Sequence, residues 1–220
     1  MRSDIIKIRD DIVLAALPSV PFDGWRWSGL ETAAVESGYD KDMPSSVFPQ
    51  GLTDAVDHFA DWADRQMLES LKNTDPISLR VRDRIKTCVL TRLDVLEPYK
   101  EAVRYSAAYW AIPGRQGRAS KALWRTSDRM WTWAGDESED YNYYTKRGLL
   151  SSIIAPTTLV WLEDPQTSEQ GSKTETFLEA RIENVLKIGG RAGKTISKIT
   201  EIRPLKGLTE TIFSRRKDSL

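Results

Sequence analysis

No charged side chain occurs between Arg147 and Glu163, and this uncharged run, Gly148 to Leu162, most restricts what the chain can fold into. Leu149, Leu150, Ile153, Ile154, Leu159, Val160, Trp161 and Leu162 surround the axis of a helix instead of forming one stripe. A helix that is apolar on every side is buried or lies in a membrane. The run is shorter than the ~20 apolar residues a spanning helix needs, so it predicts a central, buried helix. Pro156 lies inside it. A proline there removes one backbone hydrogen bond and presses on the carbonyl of Ser152, which predicts a kink with space beside it.

A polar turn precedes the run, and Asp136, Ser138 and Asp140 are its candidate caps. Tyr141, Tyr143 and Tyr144 follow, then Lys146 and Arg147. Two readings of the tyrosines stand: half-buried packing residues with wet hydroxyls, or the core of an interface, where Tyr, Trp and Arg concentrate binding energy.

The rest of the chain reads as further helices. Asp4 to Leu17, capped by Ser3 or Asp4 and carrying Ile6, Val13 and Leu17, is broken by Pro18 to Gly24. Trp27 to Ser37 and Asp40 to Val47 are short. Thr53 to Leu71 is long, with Thr53 as cap and Val56, Phe59, Ala60, Ala63, Met67 and Leu71 inward. Pro76 to Leu96 turns Val81, Ile85, Val89 and Leu93 or Leu96 inward, and its basic start (Arg80, Arg82, Arg84, Lys86) is a solvated face or an anion site. Lys100 to Ile112 and Arg118 to Trp133 follow, then the central helix and a polar loop, Asp164 to Lys173. Thr176 to Gly189, with Leu178, Ile182, Val185 and Leu186 on one side, is the last core helix. The eight tryptophans can fill a core or line a cavity.

With 220 residues, one domain and a tail are expected; 40% apolar and 29% charged residues suit a soluble core. The formal net charge is zero, but Arg191 to Leu220 carries eight Lys/Arg against three Asp/Glu, so the body is at −5 and the tail at +5. In that tail Leu205, Leu208, Ile212 and Phe213 recur among basic residues, as in a helix lying on an anionic membrane surface. Pro204 and Gly207 interrupt the pattern, which keeps a disordered basic tail open. The lone Cys88 excludes an internal disulfide and fits a reducing compartment. The N-terminal MRSDIIKIRDD has acids from Asp4 and no apolar core, which predicts no signal or transit peptide and a cytosolic protein.

Catalytic chemistry has little to work with. His58 is the only histidine; with Asp54, Asp57 and Asp61 it could hold a metal weakly, though acids in a first helical turn more simply complement the helix dipole. Gly189 to Thr195 resembles a phosphate loop but has Ile188 where the first glycine belongs. Cys88 lies on an apolar helix side with no histidine nearby in sequence. No nucleophile, base and orienting group come together, so a non-enzyme with no cofactor and no metal is expected.

The segment Asp140-Tyr-Asn-Tyr-Tyr-Thr-Lys-Arg147, preceded by Ala134-Gly-Asp136, resembles the signature of the ubiquinone-biosynthesis lipid-binding family with a TetR-like fold. Tyr143 stands where that family usually has Trp. Pro21 to Trp25, Val47 to Gly51, Asp61 to Met67, Val81 to Ile85 and Arg181 to Val185 agree in collinear order, over roughly Ile5 to Gly190. The resemblance implies an all-α, TetR-like domain of about nine helices. Residues 1–75 would be a helix-turn-helix-like region, 76–190 a lipid-binding and dimerisation region, and 191–220 a basic amphipathic tail helix.

The resemblance also implies a homodimer built from Leu149 to Leu162 and Phe177 to Ile188. Such a protein takes an isoprenoid quinone intermediate from the membrane and presents it to a di-iron hydroxylase of the pathway. It would be peripheral on the inner membrane, in the mitochondrial matrix if eukaryotic. Leu149, Leu150, Ile153, Ile154, Pro156, Trp124 and Trp131 are then the lipid-binding candidates. Asp140, Asn142, Tyr143, Tyr144 and Arg147 are the partner-binding ones, and Leu205, Leu208, Ile212 and Phe213 the membrane contacts. The other possibility, a ligand-responsive DNA-binding regulator, conflicts with charge. Between Pro18 and Ala60, Arg26 and Lys41 stand against seven acids, a net of −5, whereas DNA affinity comes from basic residues displacing counterions.

Overall fold

The computed structural model describes residues 2–139, 141–165 and 172–185. The regular structure of these residues is helical, in the order α1 (Arg2–Ala16), α2 (Val20–Asp23), α3 (Trp27–Glu36), α4 (Met43–Val47), α5 (Leu52–Ser70), α6 (Val81–Leu96), α7 (Lys100–Ala111), α8 (Gln116–Trp133) and α9 (Tyr141–Glu163). A further helix, α10, is described over 173–185. The chain divides into two compact units, Met1–Ile182 and Glu183–Leu220, and the core lies in the first. The expected tail helix, with Leu205, Leu208, Ile212 and Phe213, falls outside the described residues, as do Asp140 and the end expected at Gly189.

α1 contributes Ile12, Val13 and Ala16 to the core, whereas Ile6 is exposed. As expected, α1 ends just before Pro18, at Ala16. A 3-10 turn, Leu17–Ser19, leads straight into α2, each with a proline at its first positions, where the missing N–H had no partner to lose. The path turns at Gly24, whose φ of 69° is open to glycine at no steric cost. α3 and α4 pack on α1.

α5 opens from Gly51 (φ 68°), not from Thr53. The Thr53 hydroxyl instead pairs with that of Tyr109 at 2.7 Å, and Asp54 accepts from the Gln50 N–H at 2.8 Å. α6 buries Ile85, Cys88, Val89, Leu93 and Leu96 but leaves Val81 exposed. Its basic start is tied down: Arg84 donates to the carbonyl of Ala134 at 2.7 Å, and Lys86 pairs with Glu175 and Glu179.

α9 is a continuous helix with Pro156 inside it. It corrects one expectation, since the helix is not enclosed on all sides. Arg147, Leu150, Ile154, Thr157 and Trp161 form its buried face, packed mainly on α8, while Leu149 and Val160 are half-buried and Leu159 is exposed. Its C-terminal end is held by α7, since Lys100 donates to the carbonyl of Asp164 and Arg104 to that of Leu162. The buried Asp164 carboxylate accepts from the Thr174 N–H (2.8 Å) and hydroxyl (2.8 Å), satisfying free donors at the start of α10.

Candidate functional site

A half-open cavity of about 190 Å³ lies among α5, α6, α7, α8 and α9. It exists because small residues meet where five helices converge: Ala60, Ser106, Ala107, Ala119, Ala122 and Ala155 all line it. Its inner end is formed by Val56, Phe59 and Leu96, each at most 3% exposed, and Leu159 stands at its outer edge with 55% exposure. The wall is apolar except at Arg92, Ser106, Thr126 and Thr158.

Of the residues expected to bind lipid, Ile154 is the one on this wall. Leu150 and Ile153 are packed in the core at 2% and 3% exposure. Leu149 and Pro156 lie on the outer half of α9. Trp124 turns to Tyr143 and Tyr144, with ring centroids 6.3 and 6.1 Å away, and Trp131 donates from Nε1 to the carbonyl of Lys146 at 3.0 Å. The sequence reading sought large side chains, whereas the hollow is made by absent ones. The alanines and serine were visible but carry no periodic signal that sets them apart from ordinary close helix packing.

Beneath the cavity α5 and α8 are joined by an ion-pair ladder. Arg118 pairs with Asp54 at 2.7 Å, Arg125 with Asp57 at 3.0 Å, and Arg129 with Asp61 at 2.7 Å and Asp64 at 3.3 Å. Asp64, fully buried, also accepts from Arg92 Nε at 2.7 Å and lies 2.9 Å from the Thr126 hydroxyl. Arg65 joins Asp61 and Asp10, and His58 meets Asp10 at 2.7 Å. Burial holds the His58 pKa below its ordinary value despite the pull of Asp10. The acids entertained as a weak metal site are therefore engaged with arginines, and among the described residues no acid, histidine and cysteine group is arranged to hold a metal ion. The spacing of Asp54, Asp57, Asp61 and Asp64, and of Arg118, Arg125 and Arg129, puts each set on one helix face. Pairing the two sets from sequence was possible.

The turn before α9 is an electrostatic joint. Asp136, with its side chain 4% exposed, accepts from Lys146 at 2.5 Å and Arg147 at 3.0 Å, and Ser138 bonds to it at 2.9 Å. Burial would raise the Asp136 pKa, but these donors outweigh it and hold the carboxyl below its ordinary range. Arg147, expected on the docking surface, is interior: 3% exposed, 2.6 Å from Asp128, its guanidinium 3.5 Å from the centre of the Tyr143 ring. Tyr143 is half-buried and donates to Asp128 at 3.1 Å. Asn142 is exposed, and Tyr141 and Tyr144 stand out at 66% and 63%. An aromatic surface therefore remains, made of Tyr141, Tyr144 and the edge of Trp124.

This arrangement lies within the part of the chain that matches a known family model. Residues 117–189 match the model described as COQ9. The family is COQ9. The match runs from the start of α8 through α9, so it takes in the outer wall of the cavity, the Asp136 joint and the aromatic surface. The chain is 31% identical over 191 residues to a protein of Drosophila melanogaster named "Ubiquinone biosynthesis protein COQ9, mitochondrial", covering 85% of this chain and 58% of the relative. It is 28% identical over 193 residues to the human protein of the same name, covering 84% and 60%. The chain thus spans about three-fifths of these COQ9 relatives' length. Among solved structures, a TetR transcriptional regulator from Nitrosomonas europaea superimposes with a TM-score of 0.62 over 82% of this chain and 98% of that one. At 21% identity this likeness concerns the fold, which is TetR-like. No described helix is long and apolar enough to cross a membrane.

Proposed function

We propose that this COQ9-type chain is a non-catalytic lipid-binding protein of ubiquinone biosynthesis. In this reading it takes an isoprenoid quinone intermediate at an anionic membrane surface and presents it to the pathway's di-iron hydroxylase. The observation that carries the reading is the apolar cavity opening beside α9, in the segment that matches the COQ9 model. Removing apolar surface from water supplies ~25 cal/mol per Å², which is what a soluble protein needs to compete with a bilayer for a prenylated ring. Tyr141, Tyr144 and Asn142 form the surface offered to the hydroxylase, and the half-covered face of α9 around Leu149, Val160 and Leu159 is where a second copy packs. The protein works peripherally on the inner membrane, in the matrix where the host has mitochondria.

The test is to purify the full chain from a quinone-producing host, extract it and weigh the extract by mass spectrometry. A stoichiometric prenylated ring compound is expected, and a clean preparation with no bound lipid would overturn the reading. Tyr144→Ala is expected to lower co-purification of the hydroxylase without changing the melting temperature.

The regulator alternative is disfavoured by a specific feature. α4, in the place of a recognition helix, has five residues, and its surroundings carry the −5 charge counted from Pro18 to Ala60. Retardation of random duplex by this protein in a low-salt gel would revive it.

A further inference from the structure

One side of α7 turns apolar groups to water. Tyr105, Ala108 and Ile112 follow one another at helical spacing, and all three are exposed. Pro113, also exposed, continues the stripe past the end of the helix. Phe22 extends it at the other end and is 86% exposed, more than any other large apolar side chain among the described residues. It is held beside α7 because the Tyr105 hydroxyl donates to the Pro21 carbonyl at 3.0 Å. Single exposed apolar residues need no explanation, but a contiguous stripe marks an interface.

Charge at the Ile112 end selects the kind of surface that fits. From Ala102 to Ser127 the chain carries Arg104, Arg115, Arg118, Lys121 and Arg125 and no acid. Arg104, Arg118 and Arg125 are engaged with Glu163, Asp54 and Asp57. Arg115 and Lys121 form no ion pair among the described residues. The Arg115 guanidinium lies 3.8 Å from the centre of the Tyr109 ring, which fixes it at the corner between α7 and α8 without neutralising it. α8 starts at Gln116 with no acid in its first turn, so the positive end of its dipole faces the same corner. The acids near the stripe, Asp23 and Glu101, lie at its Phe22 end, and Glu101 is 3.4 Å from Arg104.

An exposed apolar stripe that ends in uncompensated cations matches an anionic bilayer, which offers hydrocarbon beneath a layer of phosphates. We propose that this stripe is a membrane contact in the body of the protein, separate from the basic tail. Phe22 and Ile112 enter the headgroup layer while Arg115 and Lys121 meet its phosphates. Trp110 and Ala119, on either side of the corner, line the cavity, so docking brings that hollow to the lipid surface. The inference rests on the peripheral-membrane reading above and adds the face that is presented.

The test places a single environment-sensitive fluorophore on the full chain through Phe22→Cys, Ile112→Cys or Ile77→Cys. The buried Cys88 thiol, the only other one, stays unlabelled. Ile77 is the control. It is 80% exposed, but Arg84 ties it to the Ala134 end of α8, roughly 27 Å along that helix from Gln116. Vesicles of phosphatidylglycerol and phosphatidylcholine are titrated into each. The labels at 22 and 112 are expected to shift to the blue, and the label at 77 to stay unchanged. Lys121→Ala is expected to weaken vesicle binding about fivefold, the equivalent of ~1 kcal/mol for one basic residue at such a surface.

Vesicle-bound protein with either stripe label still in water would overturn the proposal and leave the lipid-binding reading standing, with the contact made elsewhere. A blue shift that grows with protein concentration in the absence of vesicles would overturn it by assigning the stripe to a second copy. Failure to bind vesicles at all would overturn it too, and together with a lipid-free extract would remove both readings.

Discussion

Replacing Arg147 by methionine separates a docking residue from a structural one. Methionine preserves the apolar stem and removes the guanidinium that joins Asp128, Asp136 and the Tyr143 ring. Removing one partner of a buried ion pair costs ~3–5 kcal/mol when the other is stranded. Here the stranding is incomplete. Asp136 keeps Lys146 at 2.5 Å and Ser138 at 2.9 Å, and Asp128, 39% exposed, can be rehydrated. The expected loss is therefore about 2–3 kcal/mol, or a fall in melting temperature of roughly 5–10 °C for a chain of this size. Urea and thermal unfolding followed by circular dichroism at neutral pH measure it.

The pH dependence adds a second check. The Asp136 pKa is lowered in the folded protein, so its stabilisation is present above the unfolded value of 3.8 and is lost as pH falls through the lower folded value. Without Arg147 less depression remains, and the acid-side loss of stability shrinks. A stability change below about 0.5 kcal/mol, the range of ordinary surface substitutions, together with loss of the partner hydroxylase, would refute the reasoning and return Arg147 to the docking surface.

Asp64→Asn is expected to destabilise by roughly 3 kcal/mol or more, because Arg92 and Arg129 then lose a fully buried counter-charge; the same unfolding titrations report it. Burial pushes the Cys88 thiol up to about 12, so a thiol reagent at mildly alkaline pH is expected to leave the native protein unlabelled, with labelling that rises only as denaturant unfolds it. Fast labelling without denaturant would place Cys88 outside the core.

The all-α class and most helix positions were legible in the sequence because helical periodicity and the Gly and Pro punctuation are local. The ends of α3, α5, α7 and α8 fall within about two residues of expectation. Pro18 closes α1 as its local rule predicts, whereas Pro156 lies inside a continuous α9, because what a proline does depends on what else the backbone meets. The family signature from Ala134 to Arg147 was equally plain, yet the same residues divide into an inward half, Asp136 and Arg147, and an outward half, Tyr141 and Tyr144. Composition fixes neither direction. Space beside the Pro156 stretch was expected from the sequence, but the walls of the cavity were not, since a hollow is the volume that five helices fail to fill and only their packing sets where Ala60, Ala107 and Ala122 face one another.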